Sequence, residues 1–344
     1  MKIIAVEEHF LTENYRNFLR SRKEFPRRDI VEQGGGRFER EWWSPTNYKL
    51  INPDLPDKVY DLGEGRLRDM DESGIDMQVL SFSFPGIEPF NATDGTSMAK
   101  NINDELAEIV KRYPERFAGF AAIAPQDPDA AADELERAVK KLGFKGAMIN
   151  GNIRGEYLDD EKYWVIFERA EKLGVPIYIH PRTPPEDMIK PYSVWPVLAL
   201  AGWGFAAEAG LHAIRLICSG VFDEYPGLNI ILGHLGEAIP FWMWRLDSQW
   251  PHDEMGIYSG PSRKLQKTPS QYFKDHFYVT TSGMFWQPVI QFVCSALGHD
   301  KVLFAADYPY ETSKIAVQVI KSMPMSDSDR EKICHLNAEK LLGL

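Results

Sequence analysis

Five side chains able to bind a metal or carry a proton each follow a short apolar run: Glu7 and His9 after IIAV, His180 after VPIYI, His234 after NIILG, and Asp307 after VLFAA. Residues scattered through a chain but alike in local setting are what a metal site at the mouth of a β-barrel needs, because strand ends converge there. The alternative is that each one caps its strand or bonds a turn. Four separate strand ends carrying such groups favour one shared site. Glu7 and His9 are two apart on extended chain, so their side chains share a face, toward the barrel axis if that face is inward, and Glu8 points away. His180 and Asp307 then add ligands from the fifth and eighth strands and leave one or two positions open for water or substrate. His9 is either a ligand or a side chain lining the site. Mixed nitrogen and oxygen donors without thiolate suit zinc or manganese, and sequence alone does not choose between them.

Positioning those groups takes a series of short strands. Eight apolar runs rich in Val, Ile, Phe or Tyr read as strands: Lys2–Val6, Gln78–Ser83, Phe117–Ile123, Gly146–Ile149, Pro176–Ile179, Asn229–Gly233, Phe277–Thr281 and Lys301–Ala306. Between them lie helical patterns. DPDAAADELERAVKKLG opens on Asp-Pro and closes on Gly143, EKYWVIFERAEKLG closes on Gly174, and GRLRDMDESG closes on Gly74. Strand–helix alternation on this scale predicts an α/β fold, a (β/α)8 barrel. An open dinucleotide-binding sheet would put a glycine-rich turn after the first strand, where EEHF stands instead.

Two stretches break the alternation. Residues 20–61 mix a GGG run, prolines, charges and paired tryptophans without a sustained period, and are expected to be an insertion after the first strand, either partly mobile or a cover over the barrel mouth. Residues 250–270 are expected to be a long loop. The whole chain, 1–344, is expected to be one domain.

Composition excludes several function classes. A net charge of -11 and a pI near 5.3 argue against a nucleic-acid backbone or an anionic membrane as partner. Cys218, Cys294 and Cys334 lie in apolar stretches with no CxxC spacing and read as reduced packing residues of a cytoplasmic protein. The N-terminus meets charge within six positions, too early for a signal peptide. The longest apolar run, ending in AEAGLHAIRLICSG, is interrupted by Glu208, His212 and Arg215, so no membrane span is expected.

With these residues in view, EEHF, IYIHPRTP, SGVFDEYPGLNIILGHLGEAIPFWMWRLD, VTTSG and FAADYPYE together resemble the non-oxidative aromatic acid decarboxylases of the amidohydrolase superfamily. The γ-resorcylate and 5-carboxyvanillate decarboxylases are similar over nearly the whole length. The resemblance implies metal ligation by Glu7, His9, His180 and Asp307, with His234 and Glu237 as a pair in the site and Arg245 as a substrate contact. It also implies a homodimer or homotetramer, a small aromatic carboxylate as substrate and no organic cofactor. Hydrolases of this superfamily often open with His-x-His and bridge two metals through a residue after the fourth strand. Here Glu-x-His and Asn150 stand in those places, and one metal ion is expected. The arginine that 5-carboxyvanillate enzymes carry in the early insertion has no evident counterpart around Tyr48–Pro56.

The implied reaction protonates the carboxyl-bearing ring carbon of an ortho-hydroxybenzoate and releases CO2. The resemblance makes Asp307 the general acid, with His234 relaying its proton and Glu237 fixing the imidazole tautomer. A carboxylate on a metal is a poor proton carrier, so Asp307 has to loosen from the metal once substrate arrives. A metal-dependent hydrolase or hydratase of a lactone, amide or unsaturated acid, and a catalytically silent binding protein, are the competing readings. Phe84, Trp286 and Tyr310 follow strands and are candidate pocket residues, Arg182 is either a carboxylate contact or a loop brace, and His212 reads as helix core. His252, His276, His299 and His335 are given no role.

Overall fold

The computed structural model describes residues 1–45, 47–51, 57–254 and 264–344, the end of the helix Ile239–Glu254 by backbone alone. Eight parallel strands among the described residues pair in sequence order: Ile4–Phe10, Met77–Phe82, Phe117–Gly119 continued by Ala121–Ala122, Ala147–Asn150, Ile177–His180, Ile230–Leu232, Phe277–Thr280 and Val302–Leu303. The last strand returns to the first. The Val6 N–H donates to the Phe304 carbonyl at 3.0 Å, and Glu8 bridges Tyr308 in parallel fashion. The architecture is a (β/α)8 barrel.

Its helices form where the sequence supplies caps. Pro128–Leu142 starts at Asp127, whose side chain accepts from the Ala130 N–H, and ends where Gly143 takes φ +78°. A side chain at that left-handed position would strain the chain, so glycine is the natural stop. Inside the barrel Ile4, Val6, Val79, Phe120, Met148, Tyr178, Ile231 and Leu303 pack into one buried layer, closed by Ala338 and Leu342 of the last helix. Ile3, Ala5 and Phe10 belong instead to the core between strands and helices.

The first strand runs on through Phe10, beyond the expected end at Val6, and it carries an irregularity that decides which side chains reach the axis. Ala5 pairs with Gln78 but Glu8 pairs with Leu80, so Val6 and Glu7 together oppose Val79 alone. Such a bulge shifts the alternation by one residue. Ile4 and Val6 face the axis below it, and Glu7 and His9 face the axis above it. Uninterrupted alternation would have turned Glu8 inward.

The early insertion is more ordered than expected. After the helix Glu13–Ser21 come three antiparallel strands, Arg27–Gln33, Gly36–Trp42 and Tyr48–Ile51, before the helix Glu64–Ser73. Gln33 pairs with Gly36 around Gly34 and Gly35, whose φ values of +60° and +79° make the two-residue hairpin turn that only glycine, asparagine or aspartate accepts readily. The GGG run is therefore a turn signal. Residues 52–56 lie outside the described residues, and so does 255–263 of the second expected loop, whose flanks are helical: Ile239–Glu254 before it and Pro269–His276 after it.

Pro196–Ser219 also departs from expectation, since its 24 residues at a mean hydropathy of 1.4 are long and apolar enough to cross a membrane. In the fold its polar members serve the interior. Asn152 Nδ2 donates to Glu208 Oε1 at 3.0 Å, and the Leu158 N–H donates to His212 Nε2 at 3.1 Å.

Candidate metal centre

Glu7, His9, His180 and Asp307 meet at the C-terminal mouth of the barrel, each offering one ligand atom, all within 4.8 Å of one another. His9 Nε2 lies 3.1 Å from Asp307 Oδ1 and 3.9 Å from Glu7 Oε1, and His180 Nε2 lies 3.6 Å from the same glutamate oxygen. Three of the four are held by the atom that faces away from the centre. Glu7 Oε2 accepts from the Tyr178 hydroxyl and from Thr280 Oγ1 at 2.8 Å, His180 Nδ1 meets Asn150 Oδ1 at 2.9 Å, and His9 Nδ1 meets Ser81 Oγ at 3.3 Å. Glu7 Oε1 and His9 Nε2 are then left buried without a hydrogen-bond partner. Buried polar atoms are ordinarily paired, so two such atoms facing one point fit a bound cation. Two carboxylates and two imidazoles suit a divalent ion.

His234 follows the sixth strand in a turn whose backbone is left-handed at five successive residues, with φ +48° at His234, +58° at Leu235, +83° at Gly236, +50° at Glu237 and +64° at Ala238. Asp307 also has a positive φ, +64°. Such conformations are disfavoured for ordinary side chains and concentrate at functional sites. The turn brings Glu237 Oε1 to 2.7 Å from His234 Nδ1, leaving Nε2 at 3.8 Å from both Asp307 Oδ2 and Glu7 Oε1. At Gly283 a Cβ would stand 3.2 Å from His234 Cδ2 and 3.6 Å from Asp307 Oδ2, so glycine keeps open the space beside that pair.

The charges follow from this packing. Burial opposes a proton on His234, but the carboxylates of Glu237, Glu7 and Asp307 outweigh it and raise its pKa well above the ordinary value. Burial, then the neighbouring His9, holds His180 well below, as a neutral imidazole. Burial would raise Asp307, yet His234 and His9 bring it below the usual carboxylate range. Glu7 is raised, mainly by burial, against the pull of His234.

The family model described as Amidohydrolase matches residues 55–344. The chain belongs to the amidohydrolase family. Over 348 residues it is 36% identical to the gamma-resorcylate decarboxylase of Polaromonas sp., covering 99% of this chain and 98% of that one. The structure of 5-carboxyvanillate decarboxylase from Novosphingobium aromaticivorans, complexed with manganese and 4-hydroxy-3-methoxy-5-nitrobenzoic acid, matches with a TM-score of 0.87 at 35% identity, covering 100% of this chain and 96% of that one. The structure of a dihydroxybenzoic acid decarboxylase from Polaromonas sp., with bound manganese and the inhibitor 2-nitroresorcinol, matches at 0.83 and 36% identity, covering 100% and 97%.

In this amidohydrolase-family barrel the remaining candidates are placed unevenly. Tyr310 lies 5.6 Å from the His9 ring, and its hydroxyl is 2.6 Å from Ser83 Oγ. Phe84 packs between Trp43, just past the strand Gly36–Trp42, and Phe205, at 4.9 and 5.4 Å. Trp286 is 66% exposed at the start of the helix Gln287–Leu297. Arg245 is exposed on the helix Ile239–Glu254, and among the described residues no hydrogen bond or ion pair joins its side chain to the cluster. Arg182 Nη1 donates to the Asn152 carbonyl at 3.1 Å, which braces its loop. His212 is helix core, and the side chain of His252 lies outside the described residues.

Sequence reasoning missed the outer layer. Tyr178 sits two residues before His180 on the same strand face, Thr280 and Asn150 end the seventh and fourth strands, and Ser81 lies in the second. Inward parity near a strand's C-terminal end was the signal that could have found them. It also missed Lys49, which the added sheet holds 5.9 Å from the Tyr310 ring.

Proposed function

We propose that the protein is a metal-dependent, non-oxidative decarboxylase of a hydroxylated benzoic acid with an oxygen ortho to the carboxylate. The observation that carries this reading is the pair of buried atoms Glu7 Oε1 and His9 Nε2, in a cluster that also sets His234, its pKa raised by the surrounding carboxylates, beside Asp307. Glu7, His9, His180 and Asp307 would hold one divalent ion, and the manganese in the similar structures favours that metal over zinc. When bound, the ion supplies positive charge that holds an anionic substrate in an acidic protein.

The chain's own groups handle the proton. Glu237 occupies His234 Nδ1, so the transferable proton is on Nε2, which faces Asp307 Oδ2. The two oxygens of Asp307 are divided: Oδ1 faces His9 and Oδ2 faces His234. His234 passes its proton to Asp307, and Asp307 delivers it to the ring carbon bearing the carboxylate. That carbon's bond to the carboxylate then breaks, its electron pair restores the ring, and CO2 leaves. One proton is consumed per turnover, and His234, 21% exposed in its side chain, regains it from solvent. Gly283 leaves room for the ring.

Screening a panel of hydroxybenzoates for CO2 release, with metal analysis of the purified protein, tests the reading. Turnover of ortho-hydroxybenzoates with about one ion per chain is expected. Addition of water to a lactone, amide or unsaturated acid, with no CO2, would instead make it a hydrolase or hydratase. His234→Asn should lower turnover roughly a hundredfold.

We further propose a homo-oligomer in the cytoplasm, with Arg245 contacting the substrate carboxylate from a subunit seam. Trp195, Trp203, Phe241, Trp242 and Trp244 are each at least half exposed, an unusual density of aromatic surface. Burial pushes the Cys294 thiol up to about 11, which suits an inert reduced cysteine. Light scattering should find an assembly, and Arg245→Ala should raise KM several-fold for a carboxylated substrate. A monomer active at all dilutions, or an unchanged KM, would remove Arg245 from the site.

A further inference from the structure

We propose that Glu8 is a positioning residue whose carboxylate clamps the left-handed turn at Asp307 across the seam between the first and last strands. The inference rests on the decarboxylase reading for what the clamp achieves, but not for its existence. The bulge at Val6 and Glu7 turns Glu8 out of the metal centre and toward the end of the eighth strand. There Glu8 Oε1 accepts the Ala306 N–H at 2.8 Å and Oε2 accepts the Tyr308 N–H at 3.2 Å. Between them the Asp307 N–H donates to the Glu7 carbonyl at 3.1 Å, and the His9 N–H returns a bond to the Tyr308 carbonyl at 2.7 Å. Three successive amides around Asp307 thus end on two adjacent residues of the first strand.

Glu8 is itself held. Gln78 Nε2 donates to Oε2 at 3.3 Å, and the fully buried Arg66 donates through Nη1 to Gln78 Oε1 at 3.2 Å and through Nη2 to the His9 carbonyl. The Arg66 guanidinium also lies 4.6 Å from the Tyr308 ring centroid. N–H donors meet both oxygens, although burial raises the Glu8 carboxyl to about 8. A backbone at φ +64° with a β-carbon relaxes unless its surroundings hold it. Glu8 fastens both flanks of that residue, and so fixes where Asp307 points its two oxygens.

Glu8→Gln keeps shape and removes one acceptor, leaving an NH2 against an amide N–H. In the metal-free protein, amide hydrogen exchange at residues 306–308 should quicken about tenfold while the second and fifth strands keep their protection. In the metal-loaded enzyme kcat should fall between about tenfold and a hundredfold with KM within about twofold, as for a misaligned acid. Should Glu8→Gln not accumulate folded, Glu8→Asp carries the test: it keeps both acceptors at shorter reach and should shift both readouts the same way by less. Unchanged exchange at 306–308 overturns the clamp. Faster exchange with wild-type kcat overturns its role in catalysis, and so does a loss of kcat that comes with protection lost throughout the barrel. If wild-type protein releases no CO2 from any hydroxybenzoate, the decarboxylase reading fails while exchange still decides the clamp.

Discussion

The added three-stranded sheet and the barrel mouth each bury a cluster of charged side chains, and they treat their carboxylates in opposite ways. In the sheet, Glu39 takes Arg20 Nε at 2.7 Å on one oxygen and Arg16 Nε at 2.9 Å on the other, where Arg28 Nη1 also donates at 3.2 Å. Glu41 takes Arg28 Nε at 2.6 Å and Trp43 Nε1 at 2.9 Å. Every oxygen is satisfied, and the cluster has nothing left to bind. At the barrel mouth Glu7 Oε1 and His9 Nε2 are buried without a hydrogen bond, His9 Nε2 having only the Asp307 carboxylate at 3.1 Å and Glu7 beside it. Complete pairing leaves the sheet cluster an organising role, whereas the barrel-mouth atoms fit a bound cation because they converge with His180 and Asp307 on one point.

The largest expected effects come from breaking the incomplete cluster. His180→Ala should lose the metal, because three remaining donors compete poorly with water. Asp307→Asn should lower decarboxylation at least about a thousandfold, since an amide cannot carry the proton, while keeping part of the metal through its oxygen. CO2 release and metal content measured on the same preparations separate the two defects. Near-normal turnover in Asp307→Asn would mean that another acid protonates the ring.

Much of this contrast was legible in the sequence, and the gaps have physical causes. Glu7, His180, His234 and Asp307 could be picked out because each follows an apolar run that only a buried strand explains. Gly74, Gly143 and Gly174 marked helix ends because each takes positive φ there. The bulge left no mark, since Val6 and Glu7 differ in no way from residues in regular alternation, and so Glu8 was read only as pointing away. The added sheet was misread because RRDIVEQ and GRFEREW lack hydrophobic alternation. Their register comes from cross-strand charge, with Arg40 Nε donating to Asp29 Oδ1 at 2.9 Å across the pair Asp29 and Arg40.

The next contrast is in stability, and it should have opposite signs at the two clusters. Glu39→Gln leaves guanidinium groups facing an uncharged partner and should destabilise the protein by about 3–5 kcal/mol, with kcat unchanged in whatever remains folded. Glu7→Gln removes a carboxylate whose charge burial disfavours, and should leave the metal-free protein as stable or about 1 kcal/mol more stable while abolishing metal binding. Denaturant unfolding of metal-free samples measures both. If both variants were destabilised alike, the orphaned atoms would be ordinary core groups.

The smallest effect concerns a third cluster that lies between these extremes. Glu88 and Glu208 flank Arg182, and each has one satisfied oxygen and one orphan: Glu88 Oε1 takes the Asn150 N–H at 2.6 Å, Glu208 Oε1 takes Asn152 Nδ2 at 3.0 Å, and both Oε2 atoms are unpaired. Burial raises both carboxyls to about 7, only partly countered by those donors and Arg182. An unpaired oxygen is where such a group carries its proton. Because the folded-state values exceed the ordinary value of 4.5, the folded protein binds these protons more tightly than the unfolded chain. Their contribution to stability is therefore complete below the unfolded value and is lost as pH rises through about 7. Metal-free protein should melt several degrees lower at about pH 8.5 than at about pH 5.5. Glutamine imitates the protonated form, so Glu88→Gln with Glu208→Gln should flatten that slope and raise the melting temperature most at the alkaline end. An unaltered slope would mean that these carboxyls titrate at ordinary values, and that an orphaned oxygen by itself does not mark a group the fold keeps neutral.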